Sequence, residues 1–531
     1  MTILPVIARE LRAAARQPFT YNLRVLGVTA LLLASVLFGL QVGFRPAFGR
    51  ELFAALHCAL FGAIWLLVPM LTADCISRER REETLGLLFM TPLKGTDIVV
   101  AKGLAHGLRA VTLAVAVVPV LTIPFLLGGV SWTEALLALL INANAMCWAL
   151  AAGLLASAWG KAWHRTLLVA AMLVVAFFLL LDLGAGWFLV QAARARRANW
   201  SGPTHWQEFL GIGFSLLTDE RGCWAAYNPL VSFSQVAWAF ANTTGLSLLG
   251  LAAALVAAGA KTRRSWQEEP PSRRQVWLRQ TFCTPVLWLG LFRRWMRRKL
   301  ERNPIGWLEQ RTWSGRLVTW SWFAVLVSIY SLVLADRSLF QNSNPLHCML
   351  GWLLAGSMAL SAAGSFRRER ETGVLELLLV SPLGEHQIIR GRLGGLWSQF
   401  APAAGLLLAG WTYCSSFVPD GADSGAMSFF FVTFLTVPVF GLYYSLRCRN
   451  FLTAFLATIV TGLVVPVALP AALWVVLRWA GNVGPNPGLA WDMRPSFAGA
   501  ICQGGLAVLC WGGLSRRLTQ RAFPLERAPT Y

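Results

Sequence analysis

The residues of this chain best suited to chemistry with another molecule are charged, and they occur twice. Arg78-Glu79-Arg80-Arg81-Glu82-Glu83-Thr84-Leu85-Gly86-Leu87-Leu88-Phe89-Met90-Thr91-Pro92-Leu93 returns as Arg368-Glu369-Arg370-Glu371-Thr372-Gly373-Val374-Leu375-Glu376-Leu377-Leu378-Leu379-Val380-Ser381-Pro382-Leu383. A constant offset of 290 residues aligns the Arg-Glu-Arg triplets, three leucines, the Pro-Leu pair, and Ile98 with Ile388. Guanidinium and carboxylate groups in this density form ion pairs and charge-assisted hydrogen bonds, which are about twice as strong as neutral ones. Pairs within the stretch, such as Arg78 with Glu82 at i,i+4, are worth only a few tenths of a kcal/mol. Two uses of the charges follow: a surface helix holding its charges in water beside the membrane, or a docking surface for a soluble cytoplasmic partner. Duplication at one place in the topology favours docking. The candidate contacts are Arg78, Glu79, Arg80, Glu82 and Glu83 in the first copy, and Arg368, Glu369, Arg370, Glu371 and Glu376 in the second.

Other chemistries lack their residues. No GxxxxGK[ST] loop occurs, so a P-loop for ATP is not expected within the chain. His57, His106 and His347 stand alone in or beside apolar runs, whereas metal sites cluster their donors, so a packing role is expected for each. Ten cysteines are scattered without a CxxC pair, which indicates neither a zinc site nor a disulfide framework. No catalytic constellation, cofactor-binding motif or metal site is therefore assigned. Three polar residues inside apolar runs are candidates for a role within the membrane: Asp182, Asn142 and Asn144.

The elements that must position these residues are membrane spans. Of the 531 residues 56% are hydrophobic and only 13% charged, with a mean hydropathy of +0.56. Several runs reach the roughly 20 apolar residues that cross a hydrocarbon core. The net charge of +21 does not point to nucleic acid, because Lys and Arg gather at the ends of the apolar runs, where the positive-inside pattern places them. About twelve spans are expected, six near 25–43, 52–73, 104–127, 133–157, 166–190 and 244–260, and six near 317–335, 346–365, 395–418, 426–446, 451–477 and 497–514. Both termini then lie in the cytoplasm. Residues 1–24 read as a basic interfacial helix before the first span. The segment 191–243 should face outward, yet Arg194, Arg196, Arg197 and Arg221 oppose that charge count; span five ends earlier than drawn, or part of the segment re-enters the membrane. Each charged stretch reads as a short helix. Its first turn is charged, Leu85, Leu88 and Phe89 (or Leu375, Leu378 and Leu379) form one apolar face, and Pro92 or Pro382 ends it.

With these residues in place, the chain resembles the ABC type-2 permease family. The Arg-Glu-Arg triplet, the leucine-rich turn and the Thr/Ser-Pro-Leu ending fall between spans two and three in both halves, as the family's pattern does. The interfacial helix before span one and Asn228-Pro229-Leu230 before the last span of the first half agree. Gly86 stands where the second copy has Glu376, Glu83 where it has Gly373, and Asn486-Pro487-Gly488 is a poor second match. The resemblance implies an all-α polytopic membrane protein, with two six-span permease halves (1–260 and 317–531) joined by a basic cytoplasmic linker (261–316). It implies coupling helices at about 76–92 and 366–382, each contacting a separate ABC ATPase subunit, so that two copies serve one chain. ATP and Mg would be used by that partner, and the chain would be an exporter's membrane subunit in a bacterial inner membrane. The rival class is a secondary transporter driven by an ion gradient, which also often has twelve spans in two repeats. In the exporter reading, reversing the charge of Glu79 and Glu369 together is expected to uncouple the partner while the spans stay folded.

Overall fold

The computed structural model describes residues 4–15, 18–42, 48–90, 93–160, 163–196, 217, 233–265, 290, 294, 297, 298, 300, 301, 303–306, 313–335, 344–372, 374–380, 384–417, 424–448, 450–479 and 495–521. Among them every regular element is a helix. The chain divides into two compact units, Met1–Pro270 and Pro271–Tyr531, a boundary that falls within the Pro-containing basic stretch 261–316.

The first unit holds α1 (Leu4–Ala15), α2 (Pro18–Val42), α3 (Phe48–Thr72), α4 (Ser77–Arg81), α5 (Leu85–Phe89), α6 (Gly95–Leu121), α7 (Ile123–Leu127), α8 (Trp132–Trp159), α9 (Trp163–Arg196) and α10 (Phe233–Ser265). Six of these, α2, α3, α6, α8, α9 and α10, occupy the expected spans. Helix α8 is central, packing on α3, α9 and α10, while α6 carries α1, α2 and α10. Alanines Ala145, Ala149, Ala151, Ala152, Ala156 and Ala158 are all fully buried along α8. Small side chains let helix backbones approach closely where lipid offers no hydrophobic driving force. Trp65, Trp148, Phe61 and Phe240 pack in one core cluster with Ala145 and Ala149.

The second unit holds α11 (Trp313–Ala335), α12 (Asn344–Thr372), α13 (Val374–Val380), α14 (Glu385–Phe417), α15 (Ser424–Arg447), α16 (Phe451–Ile459), α17 (Val465–Trp479) and α18 (Pro495–Thr519). Helix α15 is central here, packing on α12, α16 and α18, and α14 carries α11. A π-helical turn, Val460–Val464, joins α16 to α17 into one span. Such a turn frees a backbone carbonyl, and in a bilayer that group needs an internal donor. The fully buried Gln503 supplies it, donating Nε2 to the Gly462 carbonyl at 2.5 Å while bonding Thr433.

Among the described residues, nine helices are long and apolar enough to cross a membrane, and two shorter apolar helices, Thr20–Val36 and Val318–Ser331, fill the first position of each half. The 33-residue α14 covers the remaining expected span. Two local expectations change. Helix α9 continues without a break from Trp163 to Arg196, and its 34 residues, about 51 Å at 1.5 Å per residue, exceed the hydrocarbon thickness, so the helix is longer than the span expected near 166–190. The last span of the first unit likewise begins as helix at Phe233 rather than near 244.

The charged turn is also not the start of the leucine helix. In the second copy it is the last turn of α12, which runs to Thr372 before α13 begins. In the first copy α4 ends at Arg81, and the chain turns at Glu83, whose φ is +58°. The Thr84 N–H closes onto the Glu79 carbonyl at 3.0 Å, the bond of a Schellman C-cap. Glycine adopts this left-handed conformation without steric cost, whereas other residues lose roughly 1–2 kcal/mol. The second copy has a glycine, Gly373, at the corresponding place in the sequence. Glu83→Gly should leave the thermal midpoint of the detergent-purified chain unchanged or raised, and the β-branched Glu83→Val should lower it. Equal midpoints for the two variants would remove the strained turn from the account.

Candidate functional site

The first charged stretch is bolted to the bundle from behind. Ser157, near the end of α8, accepts the backbone N–H groups of Ile76 (2.7 Å) and Ser77 (3.1 Å), two of the orphan donors that open α4. Glu79 points inward and meets Lys102 of α6 at 2.8 Å, the two side chains 13% and 4% exposed. Lys102 also reaches Glu10 of α1 at 3.3 Å, and Arg9 lies 3.6 Å from Glu79. Burial would raise the Glu10 carboxyl, but Lys102 and Arg9 beside it hold it below its ordinary value. Arg80 extends its guanidinium to the Ala158 carbonyl (3.5 Å) at the C-terminal end of α8, the end a helix dipole makes attractive to cations. The outer charges are different: Arg78 and Glu82 pair at 2.8 Å, with both side chains more than half exposed. Arg81 pairs back along its own chain with Asp74 at 2.8 Å.

The second copy is held by the same contacts. Glu369 forms an ion pair with Arg392 of α14, 14% and 3% exposed, and the offset from Glu79 and Lys102 is 290 at both positions. Arg392 also donates to the Ser365 hydroxyl at 2.8 Å and lies 4.5 Å over the Phe366 ring. Arg370 donates to the Ser445 and Cys448 carbonyls at the end of α15 (3.3 and 3.1 Å), as Arg80 does at the end of α8. The Ser445 hydroxyl accepts the Phe366 N–H at 3.1 Å. Four residues before each serine stands a glycine, giving Gly153-x-x-x-Ser157 and Gly441-x-x-x-Ser445. A Cβ on Gly153 would fall on Thr72, and one on Gly441 on Ala362, residues again 290 apart. The close helix crossing that seats the charged stretch is thus itself duplicated.

Of the ten residues expected to contact a partner, the middle Glu and second Arg of each triplet (Glu79, Arg80, Glu369 and Arg370) are turned into the bundle. Arg78, Glu82, Glu83 and Glu376 face outward. The side chains of Arg368 and Glu371 lie outside the described residues, as do Thr91-Pro92 and Ser381-Pro382-Leu383, the expected helix stops. On the leucine helices, Leu85 and Leu375 are buried and tie α5 and α13 down. Leu87 and Met90 are 69% and 86% exposed, and Leu377 and Val380 are 72% and 75% exposed at the 290 offset. Each copy therefore presents an i,i+3 apolar pair beside exposed charge, on an element that cannot easily shift against its bundle. Sequence reasoning missed Lys102, Arg392, Ser157, Ser445 and these apolar pairs. Carrying the 290 offset a few residues past Ile98 would have found the first two, since a cation recurs there.

The two intramembrane asparagines are joined to their neighbours by hydrogen bonds. Asn142 donates to His57 Nδ1 (3.1 Å) and to the Ala138 carbonyl (2.8 Å), while His57 Nε2 lies 3.0 Å from the Leu217 carbonyl. Asn144 donates to Thr244 of α10 at 3.2 Å, so both asparagines bridge to neighbouring helices from different sides of α8. Asp182 is buried on α9 rather than reaching water. His347 stacks on Trp411, ring centroids 5.5 Å apart. Asn228-Pro229-Leu230 and Asn486-Pro487-Gly488 lie outside the described residues.

These features define an all-α polytopic integral membrane protein, whose two units each fix a duplicated charged element on one end of a helical bundle. The model of the ABC-2 family transporter protein matches residues 52–260, which contain α3 through most of α10. This part of the chain is similar to ABC type-2 permease domains, which are membrane components of transporters. No curated protein and no solved structure matches the chain.

Proposed function

We propose that the chain is the membrane-spanning subunit of an ATP-driven exporter, two permease halves in one polypeptide, catalytically inert until a separate ABC ATPase docks. One ATPase copy would sit on each charged element, hydrolysing ATP with Mg in its own site. Both termini and both elements would face the cytoplasm of a bacterial inner membrane. The observation that carries this reading is the repeated exposed pair, Leu87/Met90 and Leu377/Val380, set on short helices anchored by buried ion pairs. Apolar side chains surrounded by charge are what a groove on a soluble partner takes as anchors, with rim charges setting orientation. Rigid anchoring matters because ATPase closure moves the spans only if the partner binds the two permease states with different free energies.

The test is purification of the tagged chain in mild detergent with the proteins it retains, beside the double variant Leu87→Asp, Leu377→Asp. Wild type should retain a P-loop ATPase and show ATP-dependent transport. The variant should keep its thermal midpoint, since neither leucine is buried, and bind the ATPase at least roughly thirtyfold more weakly, the loss of about 2 kcal/mol typical of an anchor residue. Undiminished retention of the ATPase would move the docking surface elsewhere. Transport that follows an ion gradient and ignores ATP would replace the exporter reading with the secondary transporter.

A further inference from the structure

A second polar site lies between α2 and α6, away from the charged elements, and the repeat does not contain it. Arg24 of α2 donates Nη2 to the Thr112 hydroxyl of α6 at 2.9 Å, and that hydroxyl donates to the Arg109 carbonyl at 2.7 Å. The two arginines are therefore brought within one helical turn of each other. Among the described residues Arg24 has no carboxylate partner, in contrast to Lys102 on the same helix, which has two. Three further polar atoms at this seam are buried without a hydrogen-bond partner: Arg24 Nε, Thr20 Oγ1 one turn earlier on α2, and His106 Nδ1 one turn before Arg109. Thr20 itself is only 7% exposed. Native proteins leave few such groups, and an arginine in a partly buried seam with no carboxylate beside it is costly unless an anion joins it.

Depth and surroundings specify the anion. Arg24 stands at the start of the first apolar run, and Arg109 lies about 10 Å, or seven residues at 1.5 Å, further along α6 than Lys102. Both arginines therefore lie toward the ends of their helices nearest the charged elements, where a lipid headgroup would stand. Val25, Leu26, Leu108 and Val111, which flank the seam, are each 44–48% exposed, an apolar border suited to acyl chains. Basic pockets between spans at this depth hold anionic headgroups. We propose that the α2–α6 seam binds the phosphate of an anionic phospholipid, clamped by Arg24 and Arg109, with Thr20 and His106 completing its hydrogen bonds. In the second unit the helix matching α6 carries Leu396, Gln399 and Pro402 where His106, Arg109 and Thr112 stand, so the site belongs to the first half alone.

The experiment is native mass spectrometry of the full chain in detergent, titrated with phosphatidylglycerol, with phosphatidylcholine of the same acyl chains, and with glycerol 3-phosphate. Wild type should hold one phosphatidylglycerol in preference to phosphatidylcholine. Arg24→Gln with Arg109→Gln should weaken it roughly thirtyfold, at about 1 kcal/mol per basic residue near the surface. The charge-keeping Arg24→Lys should lose far less. Should the double variant not fold, Thr20→Val, which removes one orphan hydroxyl and no charge, should still weaken binding several-fold. Equal binding of both lipids, unchanged retention in the variants, or no bound lipid because protein covers the seam would each overturn the proposal. Occupancy by glycerol 3-phosphate as tight as by the lipid would assign the seam to a soluble phosphate instead.

Discussion

Exchanging Glu79 and Glu369 for lysine in one chain is expected to leave no monodisperse, folded protein at ordinary yields. Each carboxylate is at most 14% exposed and faces a cation that is at most 4% exposed. Removing one partner of a buried pair strands the other charge, at a cost of about 3–5 kcal/mol, and a lysine adds repulsion to that. Two such sites exceed a stability of roughly 5–15 kcal/mol in the less favourable cases. The measurement is the thermal midpoint and elution profile of the purified variants. The exchange Glu369→Arg with Arg392→Glu should recover part of what either single change loses, because the pair is re-formed with opposite sense. A Glu79→Lys, Glu369→Lys chain with wild-type midpoint that nevertheless fails to hold an ATPase would return both residues to the partner surface, where the sequence alone had put them.

Leucine at Gly441 is the other change expected to be severe. A Cβ there would stand 2.3 Å from Ala362 Cβ and 3.0 Å from its carbonyl carbon, and backbone cannot step aside as a flexible side chain can. At Gly153 the first obstacle is the Thr72 hydroxyl at 1.7 Å, but the Pro69 carbonyl follows at 3.1 Å. Thr72 is further fixed by its bond to the Val68 carbonyl (2.9 Å). Overpacking ordinarily costs about 1–3 kcal/mol, and a leucine against backbone belongs at or above the upper end. The consequence reaches the site, because Ser445 one turn later caps the start of the charged turn at Phe366. Gly441→Leu should therefore lower the thermal midpoint and weaken ATPase retention together. Ala362→Gly should relieve much of a milder Gly441→Ala, since it deletes the clashing atom. Additive losses in that double variant would deny the contact.

Much of this protein was legible in its residues. Apolar runs of about twenty residues have one stable solution in a bilayer, because a helix satisfies its own backbone, so the spans followed from hydropathy alone. The 290 offset between Arg78–Leu93 and Arg368–Leu383 marked the two stretches whose buried ion pairs repeat in the structure. The i,i+4 pair of Arg78 with Glu82 also followed, since it depends only on helix spacing.

Tertiary structure alone decided the direction in which each charge points. Nothing local distinguishes Glu79 from Glu82; the difference is Lys102 on another helix, within reach of one and not the other. Likewise Gly153 and Ser157 read as ordinary small residues of an apolar helix until α3 is laid across them. Arg24 and Arg109, 85 residues apart, become one cationic seam only when α2 packs against α6. Hydropathy and periodicity are properties of neighbours in sequence, whereas an ion pair, a close helix crossing and a binding seam are relations between distant segments. The chain therefore declared its architecture by itself, and only folding sorted its charges into those that brace the bundle and those left exposed.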